Sequence, residues 1–181
     1  MTPLVQQITD IASFSTLILD ALAVGLLFIL ATPLRKHGAG KKIIEFFGER
    51  AILFSFVVAF VATAGSLFYS EIAGFQPCLL CWWQRIFLYP QVILLFVALI
   101  KKDRGVRVYT LILSGIGTLI ALYHTYIQFG GESVLPCAAQ GAVSCQLLYF
   151  LEYGYVTIPT MSLTVFVLML IFMLAPDPKK R

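Results

Sequence analysis

Charged side chains are scarce in this chain of 181 residues. Lysine, arginine, aspartate and glutamate together make up 12% of the sequence, whereas 60% of the residues are hydrophobic. A soluble domain averages about 25% charged and about 45–50% apolar residues. Half the usual charge is too little to solvate a soluble globule of this size, so the composition predicts a protein whose solvent is largely lipid.

The chain also lacks a basic stripe of the kind that binds nucleic acid. Its formal net charge is +4, but the lysines and arginines stand at the ends of long apolar runs. That distribution is typical of the loops that flank membrane helices. Nucleic acid is therefore set aside as a partner.

Long polar segments, internal repeats and low-complexity tracts are missing as well, and five apolar runs fill most of the chain. Each approaches the roughly 20 residues that a helix needs to cross about 30 Å of hydrocarbon. The predicted spans are 14–33, 51–70, 82–100, 109–129 and 158–175. The expected fold class is an all-α membrane protein, with residues 1–181 forming a single integral membrane domain.

Two segments, 71–81 and 130–157, contain no lysine or arginine at all. The basic residues are concentrated instead in the segments 35–50, 101–107 and 179–181. Short basic loops stay on the cytoplasmic side of a membrane. The two segments without lysine or arginine are therefore predicted to face outward, with the N-terminus outside and the C-terminus in the cytoplasm.

The first run lacks the positive residues that precede the apolar core of a signal peptide. Basic residues follow it instead. It is therefore predicted to be a retained membrane helix. The alternative is an interfacial helix beside a bundle of four spans.

Cysteine is absent from the basic segments and from the middle of every predicted span. All four cysteines, Cys78, Cys81, Cys137 and Cys145, fall in the two outward segments or at the mouth of the third span. Disulfides persist on the oxidising side of a membrane. The placement therefore predicts thiol–disulfide chemistry on the outer face.

Cys78 and Cys81 form a C-x-x-C motif directly before a predicted helix. The free N–H groups and the macrodipole at a helix N-terminus favour a thiolate. Arg85 follows Cys81 by four residues, so the two side chains share a helical face. Both effects lower a thiol pKa, which predicts a dithiol that exchanges readily with other disulfides.

Cys137 and Cys145 stand eight positions apart, with Pro136 and Gly141 breaking regular structure around them. The loop can therefore turn back and pair the two sulfurs, and we expect an exposed disulfide that is open to a partner protein. A C-x-x-C also occurs in zinc sites and in structural disulfides, so both remain alternatives. The second pair is too widely spaced for a zinc knuckle, and no metal is expected.

His124 lies near the outer end of the fourth predicted span. An ionisable residue at membrane depth is a candidate functional residue, and histidine relays protons near neutral pH. The alternative is a histidine that is merely hydrogen-bonded at the membrane interface by a neighbouring tyrosine or glutamate.

These motifs together resemble a known family. The stretch 66–86, which contains PCLLCWWQR, and the runs LYHTYIQ (122–128) and TIPTMSL (157–163) resemble the disulfide bond formation protein B (DsbB) family. The similarity is greatest to its short-loop branch, the disulfide formation protein C proteins, and it covers about 51–175. The resemblance implies a four-helix transmembrane bundle, here with one additional N-terminal span at about 14–33.

The resemblance also implies a function and a role for each site residue. It implies an oxidoreductase of the cell inner membrane that passes electrons from a thioredoxin-like (DsbA-like) dithiol oxidase on the outer face to ubiquinone or menaquinone. Cys81 would contact the quinone, with Arg85 stabilising the thiolate and His124 nearby. Cys78 would exchange with the loop pair through Cys145, and Cys137 would form the mixed disulfide with the partner.

Other functions remain open on the residues alone. A vitamin K epoxide reductase-like protein would carry its loop cysteines before the C-x-x-C, whereas here the C-x-x-C comes first. A non-catalytic membrane protein braced by structural disulfides and a metal-binding membrane protein are the further alternatives. The short loop between Cys137 and Cys145 also departs from the long-loop branch, in which that loop docks the partner.

Overall fold

The computed structural model describes residues 2–132 and 143–176. This part of the chain is helical, and its one β-type contact is an isolated bridge between Glu152 and Val156. The helices are α1 (Pro3–Ala31), α2 (Gly38–Glu49), α3 (Ala51–Leu67), α4 (Leu79–Lys101), α5 (Val106–Gln128) and α6 (Ile158–Leu174). A short 3-10 helix, Pro33–Lys36, joins α1 to α2, and α3 continues as a π-helical turn over Phe68–Ile72.

Four of these helices are long and apolar enough to cross a membrane, namely α1, α3 with its π-helical turn, α4 and α5. Helix α6 is apolar and has 17 residues, which is the lower end of the range of about 17–25 that spans a bilayer. Each of the five predicted runs overlaps one of these helices. The predicted all-α membrane fold is confirmed.

Helix α1 begins much earlier than predicted, at Pro3 rather than Phe14. The hydroxyl of Thr2 accepts a hydrogen bond from the backbone N–H of Val5 at 3.4 Å, and proline is favoured in the first turn of a helix. The polar leading segment is therefore part of the helix. At 1.5 Å per residue its 29 residues measure about 43 Å, so α1 must tilt or extend beyond the hydrocarbon.

The first basic segment contains helix α2, which the sequence analysis did not predict. It has 12 residues, too few to give a membrane signal, and its lysines obscure the apolar spacing. Ile44 is buried, and the ring of Phe47 stacks on Phe172 of α6 with centroids 5.5 Å apart. Helix α2 therefore packs against the C-terminal end of α6.

Helices α5 and α6 approach each other closely at Gly117 of α5. Gly117 is buried, and a side chain at this position would collide with the ring of Phe166 on α6. Small residues allow membrane helices to pack at short range. His124 is buried two turns after Gly117, and its ring nitrogens lie close to Cys78 and Gln84 at the start of α4.

Stacked aromatic rings cover the end of the bundle that carries the cysteines. The ring of Phe75 stacks on Tyr69 at 5.7 Å and on Tyr149 at 4.3 Å. The hydroxyl of Tyr149 donates to the carbonyl of Gln76 at 2.8 Å. These contacts tie the loop after α3 to the loop before α6, and they place Cys78 at the start of α4.

Candidate active site

Cys78 is the N-cap residue of α4, and Cys81 lies in the first turn of that helix. The sulfur of Cys78 accepts a hydrogen bond from the backbone N–H of Cys81 at 3.3 Å. The two sulfur atoms are 2.9 Å apart, and both cysteines are free thiols. The motif therefore begins the helix, where unpaired N–H groups stabilise a thiolate.

His124 joins this motif to the second cysteine pair. Its Nε2 lies 3.6 Å from the sulfur of Cys78 and 3.2 Å from the carbonyl oxygen of Cys145. Its Nδ1 lies 3.1 Å from the side-chain amide of Gln84. When Gln84 donates to Nδ1, the proton of neutral His124 resides on Nε2 and points towards Cys78 and Cys145.

Arg85 lies beside the cysteines but donates its hydrogen bonds to α3. Its guanidinium donates to the hydroxyl and to the carbonyl of Ser66, both at 3.1 Å, and lies over the ring of Trp82 at 5.2 Å. The hydroxyl of Tyr89 donates to the hydroxyl oxygen of Ser66 at 3.0 Å. Ser66 therefore holds the cation in place beside Cys81, with which Arg85 shares a helical face.

Cys145 is disulfide-bonded and only 1% exposed. It packs in one cluster with Cys78, Leu80 and Ile127. The expectation of an accessible disulfide is therefore wrong for its Cys145 end, because this sulfur is covered by the bundle. Cys137 lies outside the described residues.

A cavity of about 710 Å³ opens beside the cysteines. Residues of α1, α3 and α6 form its apolar walls, and one end carries the polar groups of Cys78, Cys81, Gln84, Arg85 and His124. This pattern of apolar walls with a few converging polar groups is typical of small-molecule and cofactor sites, which usually enclose about 300–1,000 Å³.

Comparison with known proteins agrees with this geometry. The model of a family described as disulfide bond formation protein DsbB matches residues 48–175, which is more than half of the chain. The chain belongs to the DsbB family. Its enzymes are thiol oxidoreductases, so this chain is a multi-pass membrane oxidoreductase of disulfide bond formation.

Three curated proteins illustrate the relationship. The chain is 44% identical to the probable disulfide formation protein C 1 of Bacillus anthracis over 119 residues, which are 66% of this chain and 86% of that protein. It is 41% identical to the disulfide bond formation protein C of Bacillus subtilis (strain 168) over 121 residues, with the same two coverages. A probable disulfide formation protein of Metapseudomonas resinovorans is 34% identical over 125 residues, 68% of this chain and 86% of that protein. No solved structure matches significantly. The resemblance to the disulfide formation protein C branch is confirmed.

The DsbB-type site also uses residues that the sequence analysis did not single out. Gln84 orients His124, and Ser66 orients Arg85. Both stand in the stretch that carries the family resemblance, but their partners lie 40 and 19 positions away in the chain. Polar residues inside apolar helices were the available signal, and only the packing shows what each one contacts.

Cys78, Cys81 and His124 are also the described residues that could hold a metal ion, because their ligand atoms all lie within 4.8 Å of one another. Thiolate and imidazole are ligands that zinc accepts. A metal bound there would occupy the sulfur lone pairs that attack a disulfide. In a DsbB-type enzyme the same atoms therefore serve either metal binding or thiol exchange, but not both together.

Cys78 should remain a thiolate at acid pH in the reduced protein. The hydrogen bond from the Cys81 thiol, opposed by burial and reinforced by His124, holds the pKa of Cys78 well below its usual range. An ordinary thiol with a pKa of about 8.5 loses reactivity tenfold for each pH unit below that value. Alkylation of Cys78 by iodoacetamide, followed by peptide mass spectrometry, should instead vary little between pH 8 and pH 6.

The matched control is Cys81→Ala, which removes the principal donor to Cys78. The pKa of Cys78 should rise in this variant, and its alkylation should slow as the pH falls through the same window. Equal pH profiles for the two proteins would contradict the assignment of Cys81 as the main cause.

Proposed function

We propose that this protein is a quinone-dependent thiol oxidase that reoxidises a thioredoxin-like dithiol oxidase on the outer face of the cell membrane. The observation that carries the proposal is the position of the C-x-x-C. Both cysteines of the motif line an apolar cavity of about 710 Å³, and Cys78 also packs against Cys145 of the loop pair. One cysteine motif thus adjoins both a site for an apolar acceptor and the disulfide-bonded Cys145.

The residues of the cavity fit a lipid quinone, ubiquinone or menaquinone. Apolar side chains suit the isoprenoid tail, and the polar end supplies a cation at Arg85, a buried imidazole at His124 and a thiol at Cys81. When bound, a quinone accepts two electrons and two protons. Arg85 would hold the ring oxygen next to Cys81, because its donors are already oriented by Ser66.

Electron transfer begins at the loop pair. A thiolate of the reduced partner attacks Cys137, forming a mixed disulfide and releasing the thiolate of Cys145. The second partner thiol displaces Cys137, so the partner leaves oxidised and the loop pair is left as a dithiol. Attack at Cys137 rather than Cys145 is supported by the burial of Cys145 at 1% exposure.

The second exchange takes place inside the bundle. The Cys145 thiolate attacks Cys78 of an oxidised Cys78–Cys81 pair and releases the thiolate of Cys81. Cys137 then closes on Cys145 and leaves Cys78 and Cys81 as a dithiol. The shared cluster of Cys78 and Cys145 supports this route. His124 takes up and returns the proton that each exchange moves. When the side-chain amide of Gln84 turns so that its oxygen accepts from Nδ1, the Nε2 beside Cys78 and Cys145 is free to receive that proton.

The orientation belongs to the same proposal. The cysteine motif and Cys145 lie at one end of the bundle, and the segments around them contain no lysine or arginine. We place this end outside the cytoplasm, with the C-terminus inside, because disulfides form and persist on the outer side of the membrane. The basic segments at the other end then follow the positive-inside rule.

A turnover assay with purified protein in lipid nanodiscs tests the function. A reduced thioredoxin-like oxidase of the DsbA type and a soluble quinone are added, and quinone loss is followed by absorbance alongside partner thiol content. One quinone should be consumed for each partner dithiol oxidised, over many turnovers. Thiol oxidation that is indifferent to quinone would contradict the proposal, as would no turnover at all.

A further inference from the structure

Helix α1 forms one wall of the cavity beside Cys81. The α1 residues that line the cavity recur at helical spacing on one face: Ile8, Ile11, Ala12, Ser15, Thr16 and Leu19. Side chains three and four positions apart lie on the same side of a helix. Helix α1 precedes the residues 48–175 that match the family model, so this chain adds a wall to the part that its family shares.

The cavity reaches the outer surface of the bundle between α1 and α3. Ile11 on α1 and Phe60 and Val61 on α3 line the cavity, and yet they are 67%, 55% and 62% exposed. Side chains that both line a cavity and remain exposed mark its mouth. In a membrane protein this mouth faces lipid, because all three side chains are apolar and lie within spanning helices.

Asp20 fastens α1 to α6, whose residues also line the cavity. One carboxylate oxygen accepts a hydrogen bond from the hydroxyl of Thr164 on α6 at 2.6 Å, and the other accepts from the hydroxyl of Tyr155 at 2.8 Å. A carboxylate within a membrane helix is costly and generally serves a function. Both oxygens of Asp20 are used to bind α1 to α6 and to the loop before it.

A second contact, nearer the N-terminus of α1, attaches this helix to the turn after α3. The hydroxyl of Tyr69, in the π-helical turn after α3, donates to the hydroxyl of Thr9 at 3.4 Å. The cavity-lining residues from Ile11 to Leu19 therefore lie between two points of attachment, at Thr9 and Asp20. The distance between α1 and α3 at the mouth depends on both attachments.

We propose that α1 is the lateral wall of the quinone cavity and that Asp20 is a positioning residue that sets the width of the mouth through which the quinone tail passes. The inference rests on the proposed function, because it assigns the cavity to a quinone. The ring would lie at the polar end, near Cys81 and Arg85, and the isoprenoid tail would run along α1 towards the mouth. Loss of the Asp20 contacts should lower the affinity for a quinone with a tail while leaving the thiol chemistry intact.

Equilibrium binding of quinones with and without a tail tests this directly. The two tryptophans of the chain, Trp82 and Trp83, adjoin Cys81, so quenching of their fluorescence reports binding without turnover. Decylubiquinone and ubiquinone-0 are titrated into the protein in nanodiscs. Asp20→Leu should weaken decylubiquinone about tenfold, a loss of about 1.4 kcal/mol, with a much smaller effect on ubiquinone-0.

Two matched pairs of variants distinguish a specific effect of α1 on tail binding from a general loss of structure. Asp10 is exposed on the same helix and accepts its hydrogen bond from Gln6 at 2.9 Å, so Asp10→Leu should leave both affinities unchanged. Ala12→Phe fills the cavity from the α1 side and should also weaken decylubiquinone selectively. Ala21→Phe, at an exposed position of α1 that does not line the cavity, should have no effect.

Turnover gives the second readout. Asp20→Leu and Ala12→Phe should raise the KM for decylubiquinone while kcat and the KM for the partner protein stay unchanged. Equal changes for both quinones, or tail selectivity like that of the parent protein in both variants, would overturn the inference and leave the proposed function standing. If Asp20→Leu does not fold, Ala12→Phe decides. Failure of the parent protein to bind any quinone would instead refute the proposed function.

Discussion

Cys81→Ser should abolish catalytic quinone reduction, lowering the turnover number by about a thousandfold or more. Serine cannot form the Cys78–Cys81 disulfide, so electrons that enter at the loop pair have no route to the cavity. Both cysteines of the motif line the cavity, but Cys81 is only partly buried, whereas Cys78 is buried against Cys145. The measurement is quinone absorbance during turnover with the reduced partner.

Stoichiometry provides the control for this variant. The disulfide of Cys145 remains in Cys81→Ser, so the protein should still oxidise one equivalent of partner dithiol and then stop. The parent protein should oxidise many equivalents under the same conditions. Continued consumption of quinone by Cys81→Ser would show that the electrons leave by another group.

His124→Ala should slow electron transfer between the two cysteine pairs by about a hundredfold, the lower end of the range for a general acid–base group. The imidazole lies 3.6 Å from the sulfur of Cys78 and 3.2 Å from the carbonyl of Cys145, at 2% exposure. Water has little access to this position, so no solvent molecule readily replaces the lost proton carrier. Stopped-flow measurement should show rapid loss of the first partner thiols followed by slow quinone reduction.

Two further variants distinguish proton transfer from simple support of the structure. His124→Asn keeps an N–H donor of similar reach but cannot accept a proton near neutral pH, so it should remain slow. His37→Ala is the matched control, because His37 is the other histidine of the chain and is exposed between the 3-10 helix and α2. Full activity of His124→Asn would contradict the proton relay, and slow turnover of His37→Ala would point to a general loss of structure.

The helices could be read from the sequence because membrane spans are determined by local composition. Runs of apolar residues gave α3 to α6 with boundaries within a few positions, and the C-x-x-C was correctly placed at the start of α4. Two errors have a local cause as well. The polar residues before Phe14 concealed the first three turns of α1, and α2 is too short and too basic to resemble a span.

The contacts of the site could not be read in the same way. The sequence placed Arg85 on the face of Cys81, but its hydrogen bonds go to Ser66 on another helix. The sequence left open that His124 is only an interface residue, and its position between Cys78 and Cys145 depends on how α5 packs against α4. Asp20 lies inside the first apolar run, and only the fold brings Thr164 and Tyr155 within hydrogen-bonding distance of its carboxylate.

The sequence by itself determined that the chain is surrounded largely by lipid, that it is helical, how its four cysteines are spaced and to which family it belongs. Each of these depends on composition or spacing within a short stretch of chain, which the hydrophobic period and the positions of the thiols record directly. Only the tertiary structure decided that Cys145 is buried, that His124 bridges the two pairs and that α1 forms a wall of the cavity. Each of these features depends on residues that are far apart in the chain. The distance between such residues in space is set by helix packing, which no local sequence pattern encodes.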